Sequence, residues 1–185
     1  MPDRLNRIVT RGGDKGETSL GDGTRVTKFS PRVALLGDVD ELNSWIGVVL
    51  SAEPGVPVAA TLNLVQHDLF DLGGALCFPG AAVLSDAHVA RIDAAALALN
   101  AGLPPLKEFV LPGGSPLIAQ LHVARTVCRR VERAAALFFS TDTGGAAAIA
   151  YLNRLSDYLF IAARAEARRT GVGETLWEKA KSVGA

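Results

Sequence analysis

The sequence predicts an all-α protein, a bundle of four or five helices behind a glycine-rich leader. Three observations predict it. Apolar residues recur at steps of three and four in four separate segments, the spacing of a helix face, and a fifth segment is alanine-rich. No segment alternates convincingly with period two, so strands are expected only as a short pairing within the leader. Two Ser-Pro pairs and several Pro-Gly breaks punctuate the chain where helices should begin and end. Long helices joined by short connections pack as antiparallel neighbours.

The leader, residues 10–28, reads TRGGDKGETSLGDGTRVTK and has almost nothing apolar to bury. Ser30 then supplies a hydroxyl N-cap and Pro31 a first helical residue. Val33, Leu36, Val39, Leu42 and Ile46 carry that helix to about Ala52, where Glu53-Pro54-Gly55 stops it. The second helix is expected from about Val58 to Cys77. Its residues Leu62, Val65, Leu69, Leu72 and Leu76 form the seam of a packed bundle. Phe78-Pro79-Gly80 breaks it. A third, alanine-rich helix starts at Ser85 and ends near Asn100, closed by Ala101-Gly102 and two prolines.

Residues 109–114, FVLPGG, form a short apolar connector. Ser115-Pro116 repeats the first start signal. The fourth helix carries Leu117, Leu121, Ala124, Cys128, Val131, Ala135 and Phe138 on one stripe, ending near Ser140. Residues 141–145 are a loop. The fifth helix, about Ala146 to Arg169, has Leu152, Leu155 and Leu159 at its core. With no internal repeat or long linker, residues 1–185 read as one domain: leader 1–30, bundle 31–170, tail 171–185.

Composition narrows the function classes. Nineteen basic and nineteen acidic residues cancel, and 49% of the chain is hydrophobic. A nucleic-acid binder would show a basic excess and a membrane-surface protein a basic amphipathic helix. Neither appears. Cys77 and Cys128 sit within apolar patterns without CxxC spacing, as reduced thiols of a cytoplasmic protein would. The start MPDRLNRIVT has no apolar h-region, and no run reaches the roughly 18 apolar residues of a membrane span.

A bundle first suggests a carboxylate-bridged metal site, but that needs Glu-x-x-His pairs. His67, His88 and His122 are the only histidines and none follows a Glu by three, so no metal ligands are assigned. His67 is most simply a partly exposed helix residue. GxSxG is absent, and neither cysteine has a histidine visibly placed to activate it. Any chemistry therefore belongs to a bound cofactor.

The leader contains neither a phosphate-binding GxxxxGK[ST] nor a GxGxxG after a strand. Gly12, Gly13, Gly16, Gly21 and Gly23 would still let backbone N–H groups converge on an anion, with Arg11, Lys15, Arg25 and Lys28 adding charge. A disordered terminus is the alternative. On the fourth helix, His122, Arg125, Arg129 and Glu132 fall at i, i+3, i+7 and i+10, within about 80° of one another. A solvated face competes with a polyphosphate clamp. Arg125 and Glu132 lie at the margin nearest the apolar stripe, where an arginine normally has a specific partner. Gly37, Asp40, Ser44 and Gly47 make a small, polar stripe on the first helix, flanked by Asn43. Packing explains the glycines but not Asp40, which is expected to bridge to an arginine of the fourth helix. Asn153 shares an apolar face with Ile149 and Phe160, as a satisfied structural amide or a ligand contact.

Four segments now stand in order: TRGGDKGETSLGDGTRVTK, GDVDELNSWIG, FVLPGGS with LHVARTVCRRVER, and YLNRLSDYLFIAAR. Together, over residues 8 to about 168, the chain resembles the PduO-type ATP:cob(I)alamin adenosyltransferases, the family that includes the human mitochondrial enzyme acting on vitamin B12. The resemblance implies an up-down, ferritin-like five-helix bundle that assembles as a homotrimer with ATP at subunit interfaces. It implies that the Co(I) of cob(I)alamin attacks the 5′ carbon of ATP with Mg²⁺ present, giving adenosylcobalamin and tripolyphosphate. A cob(II)alamin reductase and an adenosylcobalamin-dependent recipient enzyme are the implied partners. By the same resemblance the leader wraps the ATP through Thr10, Arg11, Gly13, Asp14, Gly16, Thr18 and Lys28. Arg125 and Arg129 match polyphosphate-side arginines, Asp40 the salt-bridge partner of Arg125, and Glu132 and Asn153 further site positions. Phe109 matches a phenylalanine on the lower axial side of the corrin, favouring base-off, four-coordinate cobalt.

The sequence departs from the family at Gly12, where many members carry threonine, and at Asp38, where a smaller or β-branched residue is common. Asp38 is expected to face solvent. Two rival functions remain at this stage: a phosphotransferase on the same bundle, which would leave ADP, and a carrier that binds ATP and corrinoid without turnover.

Overall fold

A computed structural model describes residues 9, 11–78, 80–81, 84–141 and 143–183. Five helices dominate it: α1 Pro31–Ser51, α2 Val56–Cys77, α3 Asp86–Asn100, α4 Pro116–Phe138 and α5 Ala146–Thr170. Each start follows the capping chemistry in the sequence. Ser30 and Ser115 accept the N–H groups of Val33 and Ile118, each with proline opening the helix behind it. Ser85 and His88 form a reciprocal capping box on α3. Gly171, at φ 71°, ends α5 in the left-handed conformation that only glycine adopts without strain.

Helix α1 packs on α2 and α4, and α5 packs on α4 and α3. Cross-contacts run antiparallel: Arg32 reaches the Leu76 carbonyl while Asn43 and Gln66 each donate to the other's backbone carbonyl. The expected seams of α2, α4 and α5 are buried, apart from Phe138, which is half-buried. On α1 the register is corrected. Val33 and Leu36 are only half-buried, whereas Leu35 and Val49 reach the core with Val39, Leu42 and Ile46. Each fully buried leucine contributes about 1.5–3 kcal/mol to folding. Among the described residues, no helix is long and apolar enough to cross a membrane.

The leader holds the short pairing expected of it: β1 Glu17–Ser19 runs antiparallel to β2 Arg25–Thr27. Leu20 anchors this hairpin, and the Gly21 N–H donates to the Cys77 carbonyl at 2.8 Å, serving the open C-terminal end of α2. Between α4 and α5 the chain makes two 3-10 turns, Phe139–Thr141 and Thr143–Gly145. There a β-carbon on Gly145 would lie 2.0 Å from Phe139 Cγ and 2.5 Å from its Cβ. These atoms sit close to the backbone of a buried ring and cannot swing aside. Gly145→Ala is therefore expected to destabilise by about 1–3 kcal/mol, the usual cost of overpacking. A lower denaturation midpoint at unchanged m-value in urea would show it, and an unchanged midpoint would refute the contact.

Candidate functional site

The face shared by α4 and α5 brings together four of the side chains singled out by sequence. Burying Leu121, Ala124, Cys128, Val131 and Ala135 turns Arg125, Arg129 and Glu132 to one margin of α4. Arg125 is half-buried, its guanidinium 6.0 Å from the Phe160 ring centroid and its Nε buried without a hydrogen-bond partner. Burial, and secondarily the charge of Arg129, disfavours its protonated form. Arg129 is exposed, and among the described residues no carboxylate lies within ion-pair distance of either guanidinium. Two neighbouring arginines without an acid between them repel unless an anion joins them. Beside them, Asn153 Nδ2 donates to Glu132 Oε1 at 2.9 Å and its Oδ1 accepts from Arg154. The amide thus has structural partners, and it fixes Glu132 at the edge of the arginine pair.

Asp40 does not bridge to Arg125 within the chain, contrary to expectation. Asp38, rather than facing solvent, is half-buried and binds Arg130 of α4 at 3.5 Å, and the exposed Glu41 binds the same guanidinium. Asp40 lies about 200° round the helix from Asp38, so it turns to the other side of α1. There it is exposed on a groove of about 270 Å³ with Leu36, Val39, Asn43, Leu69 and Phe70. The leader docks at the near end of the same two helices, where α1 begins and α2 closes at Cys77. Thr10 lies outside the described residues. Arg11, Asp14, Gly16 and Lys28 are exposed, with Gly13 and Thr18 half-buried. Arg25 folds inward onto the Gly12 carbonyl, Ser19 and Glu17 instead of reaching outward. Among the described residues, no hydrogen bond or ion pair joins the leader to Arg125 or Arg129. One chain therefore presents two half-sites on different faces: leader with Asp40, and arginine pair with Glu132 and Asn153.

Phe109 sits on the 101–115 connector with its ring 77% exposed. The segment after α5 returns to it, pairing Val110 with Leu176. This return was not legible as more than a tail. Beneath the connector, His122 is buried against Phe160 rather than part of a charged face. Burial and nearby Arg125 lower its pKa, while Glu174 opposes them more weakly. Because the folded value falls below the unfolded 6.5, neutral His122 supports the fold fully above pH 6.5. That support is lost as pH falls through the folded value. Melting temperature should drop between pH 7 and 5, and His122→Gln should flatten that acid limb. An identical slope in the variant would exclude the histidine as its source.

Sequence reasoning missed one further polar centre. Asp68, buried on α2, accepts from Arg91 of α3 and from the Tyr151 hydroxyl of α5 at 2.6 Å. Burial and that bond raise the tyrosine's pKa well above its usual range. A carboxylate adjoining Leu69 on the α2 seam was the available signal. Among the described residues, no three His, Cys, Asp or Glu side chains cluster as metal ligands.

The chain as a whole is similar to known proteins. The cobalamin adenosyltransferase family model matches residues 8–166. A cobalamin adenosyltransferase of Cupriavidus metallidurans is 51% identical over 97% of this chain and 98% of its own. A corrinoid adenosyltransferase of Bacillus subtilis is 40% identical over 96% and 95%. Among solved structures, a variant of the PduO-type ATP:corrinoid adenosyltransferase of Lactobacillus reuteri, complexed with cobalamin and ATP, superposes with a TM-score of 0.86. It is 31% identical, covering 94% of this chain and 100% of that one.

Proposed function

This chain belongs to the cobalamin adenosyltransferase family, and on that premise we propose that it moves the 5′-deoxyadenosyl group of ATP onto the Co(I) of cob(I)alamin, releasing tripolyphosphate. It is an enzyme of the transferase class, with ATP and a corrinoid as substrates. The observation in its own residues that carries the reading is the arginine pair of α4, which lacks any acid partner among the described residues.

A strong nucleophile such as Co(I) needs little activation once formed, so the protein's task is positioning. Displacement at C5′ builds negative charge on the departing tripolyphosphate. Arg125 and Arg129 supply fixed cationic donors for it, and Lys28 a third. Glu132, held by Asn153, keeps one carboxylate oxygen to accept from a ribose hydroxyl. Mg²⁺ would be carried by the phosphates themselves, as it commonly is where a protein offers no carboxylate cage. Phe109 presents an apolar ring to the lower axial side of the corrin, disfavouring the higher-coordinate oxidised states. No proton needs removing, and no general base is assigned.

The leader wraps ATP from one copy while the arginines hold it from the next, in a homotrimer. What supports this is the separation of the half-sites within one chain, together with the apolar groove beside Asp40. A closed ring of head-to-tail contacts joins unlike faces of neighbouring copies. A reductase delivering the electron to cob(II)alamin and an enzyme receiving adenosylcobalamin complete the proposal.

The test is anaerobic: purified protein, chemically reduced cob(I)alamin and Mg-ATP, followed by visible absorbance and phosphorus NMR. The expected result is a light-sensitive Co–C product with stoichiometric tripolyphosphate. ADP as product would make the protein a phosphotransferase, and binding without turnover a carrier.

A further inference from the structure

The connector carrying Phe109 is held by one short backbone ladder. Val110 pairs antiparallel with Leu176, Leu111 donates its N–H to the Thr175 carbonyl at 2.8 Å, and Trp177 donates to the Phe109 carbonyl at 2.7 Å. With the Phe109 ring mostly in solvent, packing does not aim it; the register of this ladder does. A slip of one residue would turn each side chain to the opposite face. An isolated pairing this short does not hold its own register in water.

What anchors it stands one residue before the ladder. Arg164 of α5 donates Nε to Glu174 Oε1 at 2.8 Å, and its Nη2 donates to the Pro104 carbonyl at 3.0 Å. The arginine is only 6% exposed, so its guanidinium is held by these partners rather than by water, although Glu174 and Pro104 themselves reach the surface. One guanidinium thus ties a rigid helix to both the start of the connector and the returning strap. A cavity of only about 20 Å³ separates Val110, Leu111 and His122 from this ion pair, leaving the strap little room to shift.

We infer that Arg164 is a positioning residue for the transfer reaction: through Glu174 it sets the register of the strap against the connector, and with it the direction of the Phe109 ring. This rests on the reading of Phe109 as the group on the axial side of the corrin. A displaced ring opens that side to a fifth ligand.

The test uses full-length protein with cob(II)alamin and Mg-ATP, reading four-coordinate cobalt by electron paramagnetic resonance. Arg164→Met combined with Glu174→Gln removes both charges and leaves no buried ion unpaired. It should lose most of the four-coordinate signal. With a chemical one-electron reductant added, turnover from cob(II)alamin should fall about tenfold, well within the loss a small misplacement produces, and turnover from preformed cob(I)alamin should fall much less. Phe109→Ala should show the same pattern, and the combined variant little more, as expected of residues acting as a unit. Arg164→Lys should restore part of the signal. Trp177→Pro removes a ladder donor without touching the buried arginine and should reproduce the pattern if the double variant fails to fold. A wild-type signal in the Arg164 and Trp177 variants, with loss only in Phe109→Ala, overturns the role of Arg164. Equal falls in both turnovers overturn it too, marking a merely structural pair. A wild-type signal in Phe109→Ala overturns the reading of Phe109 beneath it.

Discussion

Arg129→Ala is expected to lower kcat/KM for ATP by about 10²–10³-fold, the loss that follows removal of one preorganised donor from a developing charge. Its melting temperature should stay close to wild type, because Arg129 is exposed and, among the described residues, its side chain makes no hydrogen bond or ion pair. Exposed substitutions of this kind change stability by no more than about 0.5 kcal/mol. The two measurements together separate function from folding. Arg129→Lys should recover only part of the loss, since a point charge replaces the planar fork that grips two phosphate oxygens. Near-normal turnover in Arg129→Ala would remove it from the polyphosphate side altogether. Arg125 makes a less clean test. Its half-buried guanidinium lies near Phe160, so truncation loses packing as well as charge.

The fold was legible because its signals are local and repeated. Each Ser-Pro start caps the helix it was expected to cap, and the seam of α2 is buried residue for residue. The register of α1 was less so. Leu35 and Leu36 are adjacent leucines, and periodicity alone does not decide which one faces the core when α2 and α4 flank the helix on two sides. The grouping of candidate residues was legible where they share one helix, as with Arg125, Arg129 and Glu132. It failed where two helices had to be rotated against each other. The choice of Asp38 and Glu41, not Asp40, as the acids facing α4 depends on the rotation of α1, which no stretch of sequence encodes by itself. The strap was invisible for a similar reason. Its backbone bonds join residues 109–111 to 175–177, and neither segment has a strand pattern of its own.

Among the described residues neither Asp40 nor Arg125 makes an ion pair, and this leads to the second large effect. Asp40→Ala and Arg125→Ala are each expected to cut turnover by about 10²-fold, the scale of a misplaced catalytic group. If the two residues bridge between copies, the deficiencies are complementary. In the proposed trimer reassembled from both variants, some interfaces would receive Asp40 from the Arg125→Ala chain and Arg125 from the Asp40→Ala chain. Random mixing makes roughly a quarter of the interfaces intact in this way, because a head-to-tail ring takes one half-site from each neighbour. Activity should therefore rise on mixing from about one per cent toward roughly a quarter of wild type. Unfolding and refolding the two chains together is the preparation, with each variant treated alone as its baseline. No other arrangement restores activity so simply: a bridge within one chain would leave every mixed trimer as defective as its parents. A mixture no more active than the two variants separately would place Asp40 outside the arginine's environment. Its carboxylate would then serve only the groove it lines.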